Sequence, residues 1–467
     1  MPLGREALSC ILSMTETLQQ TLASPYAVAM IHAEGAKDPT PTISRLCADG
    51  TLVEALYDAD NSTTSLAVCL PDGKVSIVAH NDLPTRERLV PYSPRNNLIA
   101  TGCVLLPSDV GDFGDKGDLV EEVRAFIHRY VDLTPVFEEI AAHYVLLSWV
   151  YDAFNELPYL RFRGDYGTGK TRALLTIGSI SYKGFFASGA STVSPIFHVL
   201  DAFGGTLILD EADFRYSDAT AELTKILNNG NMNGLPILRT MTNRHRELNP
   251  TAFRVFGPKI IGMREGFSDR ALESRFLTEE TGGRPLRPEI SIHLPEALKS
   301  EALGLRNKLL AWRFRARFLV GPDPSRLVEG VEPRLNQTAL ALLSIVDDQG
   351  LRDRIRDELV GEEARVLNER ASSLEATMLG VLVDAFATAL APYVAVSEAT
   401  DRFNQRACPD LGRPMTNKWV GGFIRNRLRL ATTKSRGVYV ISQTERAKIM
   451  VLARRHGVVV GEATADR

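Results

Sequence analysis

The sequence predicts an α/β protein built on a parallel sheet flanked by helices, with a small β-rich domain ahead of it and helical and basic segments behind. Three stretches predict this. Gly164-Asp165-Tyr166-Gly167-Thr168-Gly169-Lys170-Thr171 reads G-x-x-x-x-G-K-T, between a strand-like run from Tyr159 to Arg163 and a helix-like run from Arg172 to Ile177. Thr206-Leu207-Ile208-Leu209-Asp210-Glu211 is a short apolar run ending in two acids, the pattern of a buried parallel strand whose C-terminal tip faces a ligand. From 413 to 455 there are eleven Lys and Arg residues and one acid, Glu445, a local charge of +10 in a chain of net charge −3.

The first two stretches specify chemistry. Glycines let backbone N–H groups close around phosphate oxygens without Cβ interference, and the following helix turns its N-terminus toward them. Gly164, Asp165, Tyr166, Gly167, Thr168, Gly169, Lys170 and Thr171 are therefore the expected nucleotide-binding residues. Lys170 would reach the β/γ-phosphates, and the Thr171 hydroxyl would ligate Mg²⁺. Asp210 would hold Mg²⁺ through water, and Glu211 would polarise the attacking water. The implied cofactors are ATP and Mg²⁺. Between Lys170 and Asp210 there is room for one helix, one strand at 184–187 and a second helix at 194–203.

The 467 residues suffice for several domains with their own cores. With 44% hydrophobic and 24% charged residues the composition is globular, and a net charge of −3 confines any nucleic-acid footprint to a local patch. Cys10, Cys47, Cys69, Cys103 and Cys408 lack metal-ligand spacing and suit a reducing compartment. The eight histidines show no ligand pattern either. No apolar run reaches the length of a membrane span, and the N-terminus lacks a signal-peptide layout. The expected location is cytoplasmic, with no membrane partner.

Residues 1–115 are expected to form the β-rich domain, behind a short amphipathic helix. Its β-type runs, at 51–57, 65–70, 74–79 and 98–106, are broken by Pro, Gly, Asn and Asp. Asp58-Ala59-Asp60 invites comparison with paired metal-binding carboxylates. No second acidic motif completes a two-metal site, so a surface turn is the expectation. Gly111 to Gly117 is the clearest linker. Residues 116–158 form a helical collar: Leu119 to Tyr130, then Pro135 to about Phe154, capped by Thr134. Tyr144, Leu147 and Trp149 are expected as packing residues rather than a base-stacking platform. The core follows at 159–283, a helical lid at 284–370 and a basic domain at 371–467.

In the basic domain, helices are expected over 372–386, 397–406 and 417–430, the last capped by Thr416. A strand pair at 430–433 and 438–441 and a final helix at 443–455 complete the order of a winged helix-turn-helix. Lys418, Arg425 and Arg429 would lie in a DNA groove, and Lys434 and Arg436 on the wing would touch backbone.

Past a fourth buried strand, Lys259 to Met263, comes Ser268-Asp269-Arg270-Ala271-Leu272-Glu273-Ser274-Arg275-Phe276. The pattern Ala-Leu-x-Ser-Arg-Phe is similar to the segment that carries the arginine finger of AAA+ ATPases, and the chain resembles that family over about 160–280. The resemblance implies that Arg275 reaches the γ-phosphate bound by a neighbouring subunit, with Arg270 as understudy, in a homo-oligomer expected as a hexamer. It also implies a lid arginine that senses nucleotide, Arg334, with Arg306 the alternative. AAA+ proteins usually place Asn or another small polar residue at the tip of the fourth strand. This chain has Gly262-Met263-Arg264-Glu265, so either Arg264 takes the sensing role or the alignment is off by a few residues.

Asp210-Glu211-Ala212-Asp213 spells the box of superfamily II helicases, but their Ser-Ala-Thr and Arg-rich motifs are absent from the sequence. The stretch ahead of the fourth strand resembles the pore hairpin of superfamily III helicases. Leu235 to Thr240 would pair with Ala252 to Phe256, and Arg239, Arg244 and Arg246 would grip DNA. Taken with the helicase-type ATPases of phages and plasmids that it resembles, the chain is expected to be an ATP-dependent DNA helicase or translocase acting as a ring in replication. The alternative is an AAA+ DNA-binding switch, an initiator, loader or transposition regulator, that hydrolyses ATP without unwinding.

Overall fold

The structure, a computed structural model, describes residues 38–85, 87–188, 191–210, 218–242, 248–267, 269–329, 331–371, 374–411, 414–435 and 437–458. The chain divides into two compact units, residues 1–96 and 97–467.

The described residues of the first unit are all β: β1 (Asp38–Thr42), β2 (Ser44–Leu46), β3 (Leu52–Asp58), β4 (Thr63–Cys69), β5 (Val75–Val78), β6 (Asn81–Asp82) and β7 (Glu87–Pro91), and the expected N-terminal helix lies outside them. β2-β3-β4-β5 form an antiparallel meander, and β1 and β6 flank β7. Its core is Leu52, Val53, Ala55 and Leu56 of β3 against Leu66, Ala67 and Val68 of β4. Asp58 is a turn residue. Its carboxylate accepts from the backbone N–H groups of Asp60 and Asn61, at 3.0 and 3.1 Å, and from the Asn61 amide at 2.7 Å. All of these bonds close the β3–β4 turn, as the surface-turn expectation requires.

The second unit opens with α1 (Asn97–Ala100), α2 (Lys116–Tyr130) and α3 (Pro135–Trp149). The strand expected at 98–106 is thus replaced by a helical turn, and only Val104 bridges to a strand, at Phe185. The expected linker at 111–117 is packed. Gly111 N–H donates to Asn307 O at 3.0 Å, and the buried Phe113 ring carries the Arg315 guanidinium at 4.7 Å. Asp115 starts α2 three residues before the first apolar position, because its carboxylate accepts from Asp118 N–H at 2.9 Å. α3 is buried on all sides, with Tyr144, Leu147 and Trp149 fully inside. Thr134 does not cap α3 through its side chain. Its N–H and hydroxyl donate instead to Glu279, at 2.7 and 2.8 Å.

Then come β8 (Tyr159–Arg163), α4 (Lys170–Ile180), β9 (Phe185–Ser188), α5 (Val193–Phe203), β10 (Leu207–Asp210), α6 (Asp218–Asn229), β11 (Ile237–Thr242), β12 (Leu248–Phe253), β13 (Lys259–Met263), α7 (Arg270–Glu273) and β14 (Phe276–Glu280). β14-β8-β13-β10-β9 form one parallel sheet. β13 stands between β8 and β10, so the loop after β8, the tip of β13 and Asp210 share one edge. β11 and β12 form the expected hairpin, with Ile237 opposite Phe253.

α8 (Ala297–Ala316), α9 (Pro333–Ile345) and α10 (Gln349–Ala371) follow. α8 packs on α2, α3 and α4, whereas α9 and α10 pack on α3. The last elements are α11 (Leu374–Thr388), β15 (Tyr393–Ala395), α12 (Val396–Leu411), α13 (Asn417–Asn426), β16 (Thr433–Ser435), β17 (Val438–Ser442) and α14 (Arg446–Arg455). They share a core that includes Leu379, Leu382, Phe403, Val420, Ile424 and Ile441. β15, three residues long, has no counterpart in the expectations. It pairs with β17, so the sheet order is β15-β17-β16. α13 ends at Asn426 rather than Leu430, and Arg429 has φ +52°, which no helix accommodates.

Candidate nucleotide site and basic surfaces

The G-x-x-x-x-G-K-T loop links β8 to α4, as its flanks require. Its glycines are needed for two different reasons. Gly167 and Gly169 have φ of +73° and +91°, and a Cβ on either would meet nothing within 4 Å. Their demand is conformational, and the space beside them is an open cradle. Gly164 is packed, since a Cβ there would sit 2.3 Å from Thr281 Oγ1 and 2.5 Å from Thr281 O. Thr281 fixes this corner. Its hydroxyl lies 2.8 Å from Thr168 Oγ1, and its N–H donates to Arg163 O at 2.6 Å.

Lys170 Nζ donates to Gly164 O and Asp165 O, at 2.7 and 2.6 Å, which keeps the ammonium over the loop. Thr171 Oγ1 donates to Asp210 Oδ2 at 2.7 Å. Two residues 39 apart in sequence thus bring hard oxygen donors together beside the cradle, the donor set that suits Mg²⁺. The close approach of β13 permits it, since a Cβ on Gly262 would be 3.1 Å from Asp210 Oδ1. Glu211 lies outside the described residues. The Arg264 guanidinium, at the tip of β13, lies 4.2 Å over the Tyr166 ring and contacts its hydroxyl. The fourth-strand tip is therefore on the loop, as expected, and the residue delivered there is Arg264.

The two other arginines assigned to nucleotide stand elsewhere. Arg275 precedes β14, and its carbonyl accepts from Tyr159 N–H at 2.8 Å, at the start of β8. The loop is at the other end of β8, about 16 Å away at roughly 3.3 Å per residue. Arg275 is 6% exposed, and it donates to Asn231 Oδ1 and Asn228 Oδ1 at 2.9 and 2.5 Å. Burial lowers its pKa, and the charge of Arg334 lowers it further. Arg334 is an exposed residue in the first turn of α9. Gln337, one turn on, donates to Glu156 at 2.8 Å, just before β8. α9 is thus fastened near the start of β8, the end opposite the loop of the same chain. Arg306 is a buried staple. It donates to Leu106 O and Ser179 O, at 3.1 and 2.7 Å, and burial lowers its pKa to about 10. For Arg270 only the backbone, in α7, is described.

One residue had no signal in the sequence. Arg161, mid-strand in β8, is fully buried. It pairs with Glu273 of α7 at 2.7 Å and donates to Thr278 Oγ1 at 3.0 Å. It ties the segment before Arg275 to the strand that feeds the loop. An arginine in a five-residue apolar strand reads as surface until the topology buries it.

Arg239 pairs with Glu222 of α6 at 2.5 Å, and its guanidinium lies 4.0 Å over Phe197 of α5. It fastens the base of the hairpin instead of reaching for a ligand. Arg244 and Arg246 fall in the β11–β12 connection, outside the described residues. In the C-terminal domain Lys418, Arg425, Arg429 and Lys434 are exposed, whereas Arg436 lies outside the described residues.

No protein-family model and no curated protein matches the chain. Among solved structures it is similar to the C-terminal region of NrS-1, at 11% identity over 84% of this chain and 96% of that one, with a TM-score of 0.36. It is also similar to SCCmec type IV Cch, described as an active helicase, at 11% identity over 88% and 99%, with a TM-score of 0.32. Cdc6p from Pyrobaculum aerophilum is 12% identical over 72% and 98%, with a TM-score of 0.20. Likeness this distant leaves the function to the residues.

Proposed function

We propose that the chain is an AAA+ ATPase of the helicase type, working on DNA as a ring oligomer, expected as a hexamer, with a C-terminal winged helix. The observation that carries this is the Thr171 Oγ1–Asp210 Oδ2 contact of 2.7 Å beside the open cradle of Gly167 and Gly169. Bound Mg²⁺·ATP supplies a phosphoanhydride whose γ-phosphoryl can pass to water. Lys170, held by the carbonyls of Gly164 and Asp165, would turn to the β/γ-phosphate oxygens. Thr171 would ligate the metal and Asp210 would hold it through water, and Glu211 would orient the attacking water. Arg264 would exchange its hold on Tyr166 for the terminal phosphate. Arg275 and Arg334, at the far end of β8, serve a neighbour's nucleotide. Positive charge delivered in this way makes hydrolysis depend on assembly. Arg244 and Arg246, on the β11–β12 connection, grip DNA in the ring's pore.

The order α11, β15, α12, α13, β16, β17 and the local charge of +10 support the winged-helix reading. The deciding measurement is ATP hydrolysis with and without single-stranded and forked DNA, with Lys170→Ala as the blank. Hydrolysis stimulated by DNA and coupled to strand separation is the expected result. Hydrolysis that ignores single strands and forks but responds to a particular duplex would replace the motor with a DNA-binding switch.

A further inference from the structure

The chain has three tryptophans. Trp149 is fully buried and Trp312 is 3% exposed, but Trp419 of α13 is 39% exposed. Inward, the Trp419 ring stacks on Phe423 at 5.1 Å and lies 6.1 Å from the buried Phe403 ring. The rest of the indole faces solvent. Tyr439, near the tip of the β16–β17 hairpin, is 52% exposed beside Val438 at 46%. Arg425 joins the two elements: its guanidinium lies 5.8 Å from the Tyr439 ring centre and donates to Thr432 Oγ1 at 3.2 Å.

Helical spacing puts Lys418, Gly422 and Arg425 in one outward stripe. A Cβ on Gly422 would meet nothing within 4 Å. Glycine inside a helix is less favourable than alanine, and no packing here demands it. What it provides is room for a ligand backbone to approach α13 closely.

We propose that this surface holds single-stranded nucleic acid, with bases stacked on Trp419 and Tyr439 and phosphates on Lys418, Arg425, Arg429 and Lys434. The proposal rests on the reading of this domain as DNA-binding and names the form of DNA it takes. A closed duplex hides the faces of its bases and offers phosphates and polar base edges, which charged side chains alone can meet. Exposed indole and phenol rings find partners in unpaired base faces, and stacking of this kind tolerates any sequence. The surrounding charge attracts the backbone in either form and makes binding salt-dependent.

The test uses the intact protein, titrated with a mixed-sequence single-stranded oligonucleotide and with the matching duplex, reading tryptophan emission and labelled-DNA anisotropy. Because Trp149 and Trp312 are buried, a change in emission reports Trp419. The single strand should quench the emission and the duplex should not. Trp419→Ala and Tyr439→Ala should each weaken single-strand binding about tenfold and duplex binding much less. Trp419→Phe should keep most of the affinity and lose the quench. Tyr439 has no place in the domain core, so its variant separates stacking from folding. Equal quenching by duplex, or equal loss of both DNA forms in the variants, overturns the proposal. DNA binding that leaves emission unchanged and ignores both alanine variants overturns it while leaving the DNA reading intact. A protein that hydrolyses ATP but binds neither DNA form overturns both.

Discussion

At the scale of the residue, the phosphate loop shows how one amino acid can be required for unlike reasons. Gly167 needs a left-handed backbone and faces open space, so alanine there strains φ by about 1–2 kcal/mol without a clash. Gly164 abuts the backbone of Thr281, which cannot yield by rotating a side chain. Gly167→Ala should therefore weaken nucleotide binding about tenfold, and Gly164→Ala more than a hundredfold, because the loop itself must move. Titration of both variants with a fluorescent ATP analogue checks the order, and the reverse order would mean that Thr281 does not brace the loop. The motif alone marks these glycines as equivalent. The difference depends on where the chain following β14 returns, which no local pattern records.

Whole elements were legible where a period or a cap was strong. β8, α4, β9, α5 and β10 fall within a few residues of expectation, because each alternates apolar runs with clear breaks. The hairpin strands sit two residues later and four earlier than expected on their leading edges, at 237 and 248, because β-type runs do not specify their own register. The packing of α8 was hidden, because its anchors are charged. Asp152, in the turn after α3, pairs with Arg313 at 2.9 Å and with Arg317 at 2.9 Å. Burial alone would raise the Asp152 pKa, but the two guanidinium groups overcome that and hold it at about 2. The unfolded value is near 3.8, so the folded state binds the proton more weakly. The resulting stabilisation, about 2 kcal/mol, is present above pH 4 and lost as pH falls through about 2. Asp152→Asn should therefore lower the urea midpoint at pH 7, and the gap from the unsubstituted protein should close as pH approaches 2. A gap that persists at low pH would assign the effect to packing rather than charge.

On the scale of the whole molecule, the sheet separates two groups of residues that the proposal assigns to nucleotide. The residues proposed to hold nucleotide gather at the C-terminal edge of the strands, while Arg275 stands at the start of β8 and the helix of Arg334 is tied to Glu156 just before it. The sequence shows both groups but not the strand length between them. If the two arginines serve catalysis, they serve another copy's loop. Arg275 is a poor first probe, because its bonds to Asn228 and Asn231 make truncation a packing change as well. Arg334 is exposed, so Arg334→Ala should leave folding and nucleotide affinity unchanged and still lower hydrolysis, by tenfold or more if its charge meets the γ-phosphate. The decisive form mixes inactive proteins. A Lys170→Ala subunit has a dead loop but a sound Arg334, and an Arg334→Ala subunit has the converse. In a ring, some interfaces will pair the sound loop of one with the sound arginine of the other. Activity should therefore reappear on mixing, rise with total protein concentration, and approach about a quarter of the unsubstituted rate per subunit at equal proportions, since half of the loops are sound and half of those face a sound arginine. A mixture no more active than its components would return Arg334 to its own chain and remove the shared site from the proposal.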